Sequence, residues 1–421
     1  MNTLKRLQAR SDQRPIAVAV NGAGFISKGL LHRLERTPGI TTAIVTARNT
    51  DRATEIWEMS GRDEEVVVSD NVDVLNQAIA DGRPVVAPSA DVLGSLDGID
   101  VVYEATGAID HGAEVMLSAL RSGRHVVSMN AEVDATIGHL LHDQAHRNGV
   151  VYTIADGDQP GAMLRQIDFV EGMGFEIAAA LNCKGQLDVH QTPEISRQYA
   201  TRDDTSILMT TAFGDGTKMQ IENTVVANLS GLIPDKRGMH GVETDLAHAA
   251  DDIANALSNP GRVEFTLRGD FKAGIGVLGT ADDADMEMPY MRYLKMGDGP
   301  HYFFYRPYHL VHFEAAYTIA EAVLDSTSLG TPTTKRVAET ITLAKQAVAK
   351  GTKLDGIGGA WAYGLIDTVE GSAGLLPVGL SGHATLTKDH AVDEPILTDN
   401  VELDDSALIV KLRAEQDALF T

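Results

Sequence analysis

Two adjoining stretches decide the fold of the first part of the chain: Ile16–Val20, read as IAVAV, and Asn21–Gly29, read as NGAGFISKG. The apolar run predicts a buried strand, and the glycine-rich turn leads into residues with helical periodicity. Gly22 permits a tight turn, and Gly24 lets a pyrophosphate approach the N-terminus of the helix. Ser27, in place of a third glycine, is small enough for close helix–strand packing. The motif predicts a dinucleotide site, and a plain strand-to-helix turn is the alternative.

The second strand, 42–47, indicates which dinucleotide is bound. A site for NAD places an acidic residue near the end of this strand, where it binds the ribose. Here Arg48 occupies that place, and the next carboxylate is Asp51. Because a guanidinium can bind a ribose 2′-phosphate with two parallel hydrogen bonds, Arg48 favours NADPH as the cofactor. A solvated loop arginine is the alternative interpretation.

Three further apolar strands, at 100–107, 125–130 and 150–155, alternate with helical segments. This alternation predicts a parallel sheet covered on both faces, a doubly wound α/β fold of the Rossmann type, over residues 1–160. Ligands bind at the carboxyl ends of such strands. The expected cofactor-binding residues are therefore Gly22, Gly24, Phe25, Ile26, Arg48, Ala105, Thr106, Gly107 and Asn130.

Length and composition bound the remaining possibilities. The chain has 421 residues, which is enough for two or three domains, and a formal net charge of −24. Such a negative surface disfavours nucleic acids and anionic membranes, so we expect a small-molecule substrate. The single cysteine, Cys183, excludes an internal disulfide. No stretch approaches the length of a membrane span and no signal peptide precedes the first strand, so we expect a cytoplasmic protein.

The second half of the chain carries two lysines where apolar runs end. Lys184 ends a predicted strand at 175–184, and Lys218 follows a predicted strand at 206–213 and opens a helix. A reductase of carbonyl groups needs a donor to the developing alkoxide, which an ammonium group can supply. Both lysines are therefore candidate catalytic residues, although most lysines are merely solvated.

Further candidates lie near an aromatic segment at 301–310. Arg306 and His309 stand among its tyrosines and are candidates for binding a substrate anion. A helix predicted at 306–324 is expected to pack back on the first domain. His309 and His312 could share a metal on one helical face, although capping or core histidines are the simpler interpretation.

Two carboxylates complete the candidate set. Glu132 and Asp158 follow neighbouring predicted strands, at the sheet edge where ligands bind. They are candidates for proton transfer or for holding a divalent cation. The identity of any metal ligands stays open at this point.

Four longer motifs carry a resemblance: Gly157–Pro160, Asp215–Lys218, Gly297–Pro300 and Tyr305–Leu310. Together they resemble NAD(P)-dependent oxidoreductases of the homoserine-dehydrogenase-like kind that carry a C-terminal SAF domain. Some members of that family are deoxyxylulose phosphate reductoisomerase-like enzymes. The chain departs from true homoserine dehydrogenases at Asn130–Glu132, where those enzymes have an Asn-Lys pair.

The resemblance implies a Rossmann domain at 1–160, an α+β catalytic and dimerisation domain at 161–328, and a small β-rich SAF-like domain at 329–421. It implies an NADPH-dependent homodimer acting on a small hydroxy-carbonyl or sugar phosphate, as in isoprenoid precursor synthesis. A reductoisomerase would also use Mg²⁺ or Mn²⁺. The alternatives are a dehydrogenase of a polyol, sugar acid or homoserine-like substrate, and a non-enzymatic NADP sensor.

Overall fold

The computed structural model describes residues 3–11, 13–271 and 273–420. The chain divides into two compact units. The first unit contains residues 1–158 and 310–330, and the second contains residues 159–309 and 331–421. Among the residues described, no helix is long and apolar enough to cross a membrane.

The first unit is an α/β layer structure built around a parallel sheet. Its elements in chain order are α1 (Thr3–Ser11), β1 (Ile16–Asn21), α2 (Phe25–Leu34), β2 (Ile40–Thr46), α3 (Thr50–Ser60), β3 (Val67–Val68), α4 (Val72–Ala80), β4 (Val85–Ala87), a 3-10 helix (Ala90–Ser95), β5 (Val101–Glu104), α5 (Ile109–Arg121), β6 (His125–Ser128), α6 (Ala131–Arg147) and β7 (Tyr152–Ile154), with a later helix, α13 (Val311–Leu324).

The seven strands of this sheet run parallel in the order β3-β4-β2-β1-β5-β6-β7. The order reverses at β1, so the carboxyl ends of β1, β2 and β5 surround the point where such folds bind ligands. The predicted doubly wound Rossmann sheet is thus confirmed. Helix α13 contributes Val311, Ala315 and Ile319 to the same buried core as β1 and α2.

The second unit contains a mixed sheet and a set of short antiparallel strands. Its elements are α7 (Gln159–Gly172), β8 (Glu176–Lys184), α8 (Pro193–Asp203), α9 (Ile207–Gly214), α10 (Thr217–Ser230), β9 (Ile233–Pro234), β10 (Val242–Glu243), α11 (Ala249–Ala256), β11 (Arg262–Leu267), β12 (Ile275–Thr280), α12 (Ala284–Tyr293), β13 (His301–Arg306), β14 (Ala338–Ala344), β15 (Ala362–Thr368), β16 (Ala384–Leu386), β17 (Val401–Leu403) and α14 (Leu408–Leu419), with 3-10 helices at Val378–His383 and Thr398–Asn400.

The mixed sheet has the order β10-β11-β8-β12-β13, and β9 also pairs with β11. Strands β8 and β11 are parallel, whereas β12 is antiparallel to both β8 and β13. The register aligns Asn182 of β8 with Ile275 of β12 and Ile275 with Arg306 of β13. The carboxyl ends of β8, β11 and β13 therefore lie at one end of the sheet.

Helix α10 organises the second unit because it is buried from Thr217 to Leu229. Polar side chains of this helix accept hydrogen bonds from backbone N–H groups later in the chain. The Thr217 hydroxyl accepts the Gly364 N–H, and the Gln220 side chain accepts the Ile366 N–H. The Asn228 side chain accepts the Val337 N–H at 2.8 Å. These bonds attach β14 and β15 to the helix that also carries Lys218.

Two predicted elements are corrected by the structure. The segment predicted as a strand at 206–213 is helix α9, which begins after Ser206, whose hydroxyl accepts the Met209 N–H. The helix predicted at 306–324 begins only at Val311, because Arg306 is the last residue of β13. His309 therefore precedes the helix that carries His312.

Candidate active site

A cleft lies where the order of the strands in the first unit reverses. Gly22 directly follows β1 with a φ of +112°, and a Cβ there would lie 3.1 Å from the carbonyl oxygen of Ala105. This position therefore requires glycine. Gly24 precedes α2, and a Cβ built on it meets nothing within 4 Å. The open space at the helix N-terminus suits a bound phosphate.

The cleft has a volume of about 880 Å³ and brings five of the predicted cofactor residues together. These residues are Gly22, Gly24, Arg48, Ala105 and Thr106. The remaining four predicted residues, Phe25, Ile26, Gly107 and Asn130, are absent from the lining within the described part of the chain. The structure thus groups most, though not all, of the predicted set around one cavity.

Asn130 supports the cleft from behind. Its side chain is fully buried at the N-terminus of α6, where Oδ1 accepts the Val133 N–H at 3.2 Å. Its Nδ2 donates to the Ala108 carbonyl oxygen at 3.2 Å, which fixes the loop after β5. Phe25 differs, since it begins α2 with 57% of its surface exposed.

Two arginines line the β2 side of the cleft. Arg48 follows β2, and Arg52 lies one helical turn later in α3. Within the described lining of the cleft, the acidic residue is Asp110 of α5. No acidic lining residue follows β2 there. Arg52 was not predicted, although its spacing of four from Arg48 was the available signal.

A buried polar network underlies the cleft and was also missed. Glu104, at the end of β5, is fully buried and accepts Asn21 Nδ2 at 2.5 Å and the Thr106 N–H at 2.9 Å. The Thr46 hydroxyl donates to Asn21 Oδ1 at 2.8 Å. These bonds connect the ends of β1, β2 and β5. The signal was a carboxylate at the end of an apolar strand, since buried charges are normally hydrogen-bonded.

The predicted carboxylates of the first unit are both buried. Glu132 is 2% exposed in the first turn of α6, and Asp158 is 8% exposed after β7. Burial raises the pKa of Tyr103 on β5 well above its ordinary value, and the charge of Asp158 adds to that rise. The described residues contain no group of three or more His, Cys, Asp or Glu side chains placed to hold a metal ion.

We name Lys184, Lys218 and Glu222 the lysine cluster, because Glu222 acts on Lys184 through its charge and follows Lys218 by four residues on α10. Lys184 ends β8, and its ammonium donates to the Phe213 carbonyl oxygen. Burial lowers the pKa of Lys184, while the charges of Glu222 and Asp215 act in the opposite direction. Lys218, 5% exposed, lies in the first turn of α10, one helical turn before Glu222.

Glu222 joins this cluster to the sheet. It is 2% exposed, and Oε2 lies 3.5 Å from Asn182 Nδ2 on β8. The sequence analysis missed Glu222, although it follows Lys218 by four residues and so shares its helical face. The sheet register also brings Arg306 to the same end as Lys184. The Arg306 guanidinium stacks on the Tyr308 ring with its carbon 5.0 Å from the ring centroid.

A second cavity of about 320 Å³ begins where β8 and β11 end. Its lining includes Gly185, Asp188, Gln191, Gly214 and Arg268. Arg268 has a φ of +69°, and its N–H donates to the carbonyl oxygen of Lys184 at 3.0 Å. The cavity therefore adjoins the backbone of the lysine cluster.

Comparison with known proteins assigns a class to both units. Residues 22–154 match the family model described as the NAD-binding domain of homoserine dehydrogenase. Residues 157–315 match the model described as the catalytic domain of oxidoreductase DRL. The chain is an NAD(P)-dependent oxidoreductase. The cleft of this oxidoreductase falls within the first match and its lysine cluster within the second.

A curated relative supports the first assignment. The oxidoreductase is 27% identical over 138 residues to a homoserine dehydrogenase of Pseudomonas aeruginosa. The match covers 33% of this chain and 28% of the relative's length. The match thus spans less than a third of the relative's own length.

Solved structures of low similarity also align with the oxidoreductase. KijD10, a 3-ketoreductase of Actinomadura kijaniata, is 16% identical with a TM-score of 0.39, covering 75% of this chain and 91% of that one. The 1-deoxy-D-xylulose 5-phosphate reductoisomerase of Zymomonas mobilis is 16% identical with a TM-score of 0.40, covering 75% and 82%.

Proposed function

We propose that this oxidoreductase is an NADPH-dependent reductase of a small hydroxy-carbonyl compound or sugar phosphate. The observation that carries the proposal is that Glu222 acts on Lys184 through its charge and follows Lys218 by four residues on the buried helix α10. A lysine whose pKa is lowered by burial can donate a hydrogen bond and releases its proton more readily than a solvated lysine does.

The cleft of the first unit supports NADPH as the cofactor. The open approach to Gly24 would accommodate the pyrophosphate, and Arg48 and Arg52 would bind a ribose 2′-phosphate. When bound, NADPH supplies the hydride. The protein's own task is then to hold the substrate carbonyl and to stabilise the charge that develops on its oxygen.

The lysines divide that task in the proposed mechanism. One ammonium group donates a hydrogen bond to the carbonyl oxygen and passes a proton to it as the negative charge develops. The other holds an anionic group of the substrate. Glu222 keeps an opposite charge beside them, while Arg306 and His309 are further candidates for the substrate anion.

A reductoisomerase of the deoxyxylulose phosphate type, working in isoprenoid precursor synthesis, is the finer form of the proposal. That reaction would use Mg²⁺ or Mn²⁺, with Glu132 and Asp158 as the predicted ligands. Among the described residues, no group of three or more His, Cys, Asp or Glu side chains is placed to hold such a cation. Cation dependence stays a prediction that titration with a chelator tests.

A dehydrogenase of a homoserine-like substrate is the second candidate. It is favoured by the match of residues 22–154 to the homoserine dehydrogenase NAD-binding domain. We also propose an SAF-like arrangement of residues 329–421 and assembly as a homodimer. The short antiparallel pairs β14–β15 and β16–β17 support the β-rich character of that segment.

The proposed mechanism is tested by steady-state kinetics of Lys184→Ala and Lys218→Ala with a panel of hydroxy-ketones and sugar phosphates. Loss of a group that stabilises only the transition state costs about 10²–10³ in kcat, whereas loss of an anion-binding group mainly raises KM. We expect one variant to show each pattern. Lys350→Ala, which removes an exposed lysine, is the control. Kinetics near wild type in both cluster variants would contradict the mechanism.

A further inference from the structure

Lys345 is a buried cation for which the proposed mechanism has no role. It directly follows β14 and is 2% exposed. Its ammonium donates to Asp215 Oδ2 at 2.7 Å, to the Gln191 carbonyl oxygen at 2.8 Å and to the Gly359 carbonyl oxygen at 2.7 Å. An ammonium has three hydrogens to donate, so these bonds use its full capacity. Lys345 is therefore built into the structure and has no donor left for a substrate.

The three acceptors lie on segments that surround the lysine cluster. Gln191 lines the cavity that begins after Lys184. Asp215 occupies the turn between α9 and α10, and Gly359 belongs to the glycine-rich stretch before β15. One side chain thus connects the cavity wall, the start of α10 and the segment from the C-terminal part of the chain.

Asp215 also holds the start of helix α10, on which Lys218 lies. It is 1% exposed, and its second oxygen, Oδ1, accepts the N–H of Thr217, the first residue of α10, at 2.8 Å. Gly216, between them, has a φ of +84°. The carboxylate therefore fixes the first turn of α10, in which Lys218 lies.

Asp215 also acts on Lys184 through its charge. The charges that favour protonation of Lys184 are those of Glu222 and Asp215. Other ionisable side chains on the adjoining elements include Lys218 on α10, the buried Glu264 on β11, Arg268 after β11, Asp188 after β8 and Lys345 behind Asp215. Lys345 opposes part of the field of Asp215, because opposite charges at 2.7 Å largely compensate each other.

We propose that Lys345 is a positioning residue that acts through Asp215, holding the turn that presents Lys218 and setting the charge that Lys184 experiences. This inference rests on the proposed roles of the two lysines. It adds a residue outside the range 157–315 that matches the catalytic-domain model. The ion pair thus links the C-terminal segment of the chain to the reaction.

The test measures the ionisation of Lys184 in the full chain, independently of turnover. Isotope-coded acetic anhydride labels the free amine, and mass spectrometry reads the labelling rate of Lys184. Removing the cation in Lys345→Met leaves Asp215 uncompensated, so Lys184 should stay protonated and label roughly tenfold more slowly at a fixed pH. Asp215→Asn should accelerate labelling by a similar factor.

Two further variants keep the test decisive if Lys345→Met folds poorly. The neutral pair Lys345→Met with Asp215→Asn avoids an uncompensated buried charge and should label close to wild type. Lys345→Arg retains the cation and should also do so. Lys350→Met, which removes an exposed lysine with no bond to the α9–α10 turn among the described contacts, is the matched control.

Unchanged labelling of Lys184 in both single variants would overturn the inference. A labelling rate that changes in the same direction in both variants would also overturn it. A general loosening of the fold would have that effect, whereas removal of a positive and of a negative charge should act in opposite directions. Opposite shifts would support it. Opposite shifts together with normal kinetics of Lys184→Ala would support the electrostatic link while contradicting the proposed catalytic role of Lys184, so the two claims can fail separately.

Discussion

At the scale of single residues, the β2 side of the cleft carries the choice between the two nicotinamide cofactors. Arg48 precedes Asn49, whose side chain accepts the Arg52 N–H at 3.0 Å and begins α3. This bond caps α3, so Arg52 lies in the first turn of the helix and Arg48 directly precedes the capping residue. Such a pair of arginines would distinguish NADPH from NADH by binding the ribose 2′-phosphate, which only NADPH carries.

We expect Arg48→Ala to weaken NADPH binding much more than NADH binding. A lost hydrogen bond to a charged group costs about 1.5–3 kcal/mol, so the affinity ratio should fall roughly tenfold or more. Dissociation constants for both cofactors in wild type and variant decide this. Arg121→Ala, which removes an exposed arginine in the last turn of α5, is the control. An unchanged ratio in Arg48→Ala would show that the arginine is only a solvated loop residue.

We also expect Gly24→Val to abolish cofactor binding while the protein stays folded. The residue has an ordinary φ of −85°, and its Cβ would enter open space, so the free protein should tolerate it. The branched side chain would occupy the approach of the pyrophosphate. Titration with NADPH, alongside circular dichroism, measures both effects. Gly172→Val, at a similarly open position on α7, should bind normally.

At the scale of elements, α6 and β7 share a buried pair of ionisable groups. The Tyr152 hydroxyl donates to Asp134 Oδ2 at 2.8 Å. Burial raises the pKa of Asp134 to about 7, although the bond from Tyr152 opposes the rise. Burial lowers the pKa of the nearby His142 to about 3. Burial therefore favours the neutral forms of both groups.

The sign of the Asp134 contribution follows from its raised pKa. The folded state retains the proton up to about pH 7, whereas the unfolded state releases it near pH 3.8, so stability falls as pH rises through this window. Asp134→Asn removes this pH dependence. The unfolding free energy of the variant minus that of wild type should therefore rise by on the order of 2–4 kcal/mol from pH 5 to pH 8. Urea unfolding at both values measures this, and His142 cancels in the difference. A pH-independent difference would contradict the burial argument.

The elements also show how far the sequence predicts the fold. The apolar runs of β1 and β5 were predicted as strands because glycine-containing turns bound them and β-branched residues are frequent in them. Helix α9 was predicted as a strand because a run of eight apolar and small residues fits both structures. Strands β3 and β4, of two and three residues, were not predicted because such short segments carry no periodicity.

At the scale of the whole molecule, the candidate sites of the two units differ in how far a single sequence predicts them. Gly22 and Thr106 could be predicted from local turns, since strand ends in a parallel sheet converge by topology. Glu222 and Lys345 could not, because their roles depend on the packing of α10 against β8 and of β14 against α10. Buried polar partners are set by tertiary contacts, which a single sequence does not display.

The central claim is that the chain transfers hydride from NADPH to a small carbonyl compound. Its most direct test is to incubate the protein with NADPH deuterated at the transferable position and the panel of hydroxy-ketones and sugar phosphates, and to analyse the products by mass spectrometry. We predict that a reduced product gains one deuterium, and that deuterated NADH at the same concentration gives much less of it. Absence of label in every product, or equal labelling from both cofactors, would contradict the account.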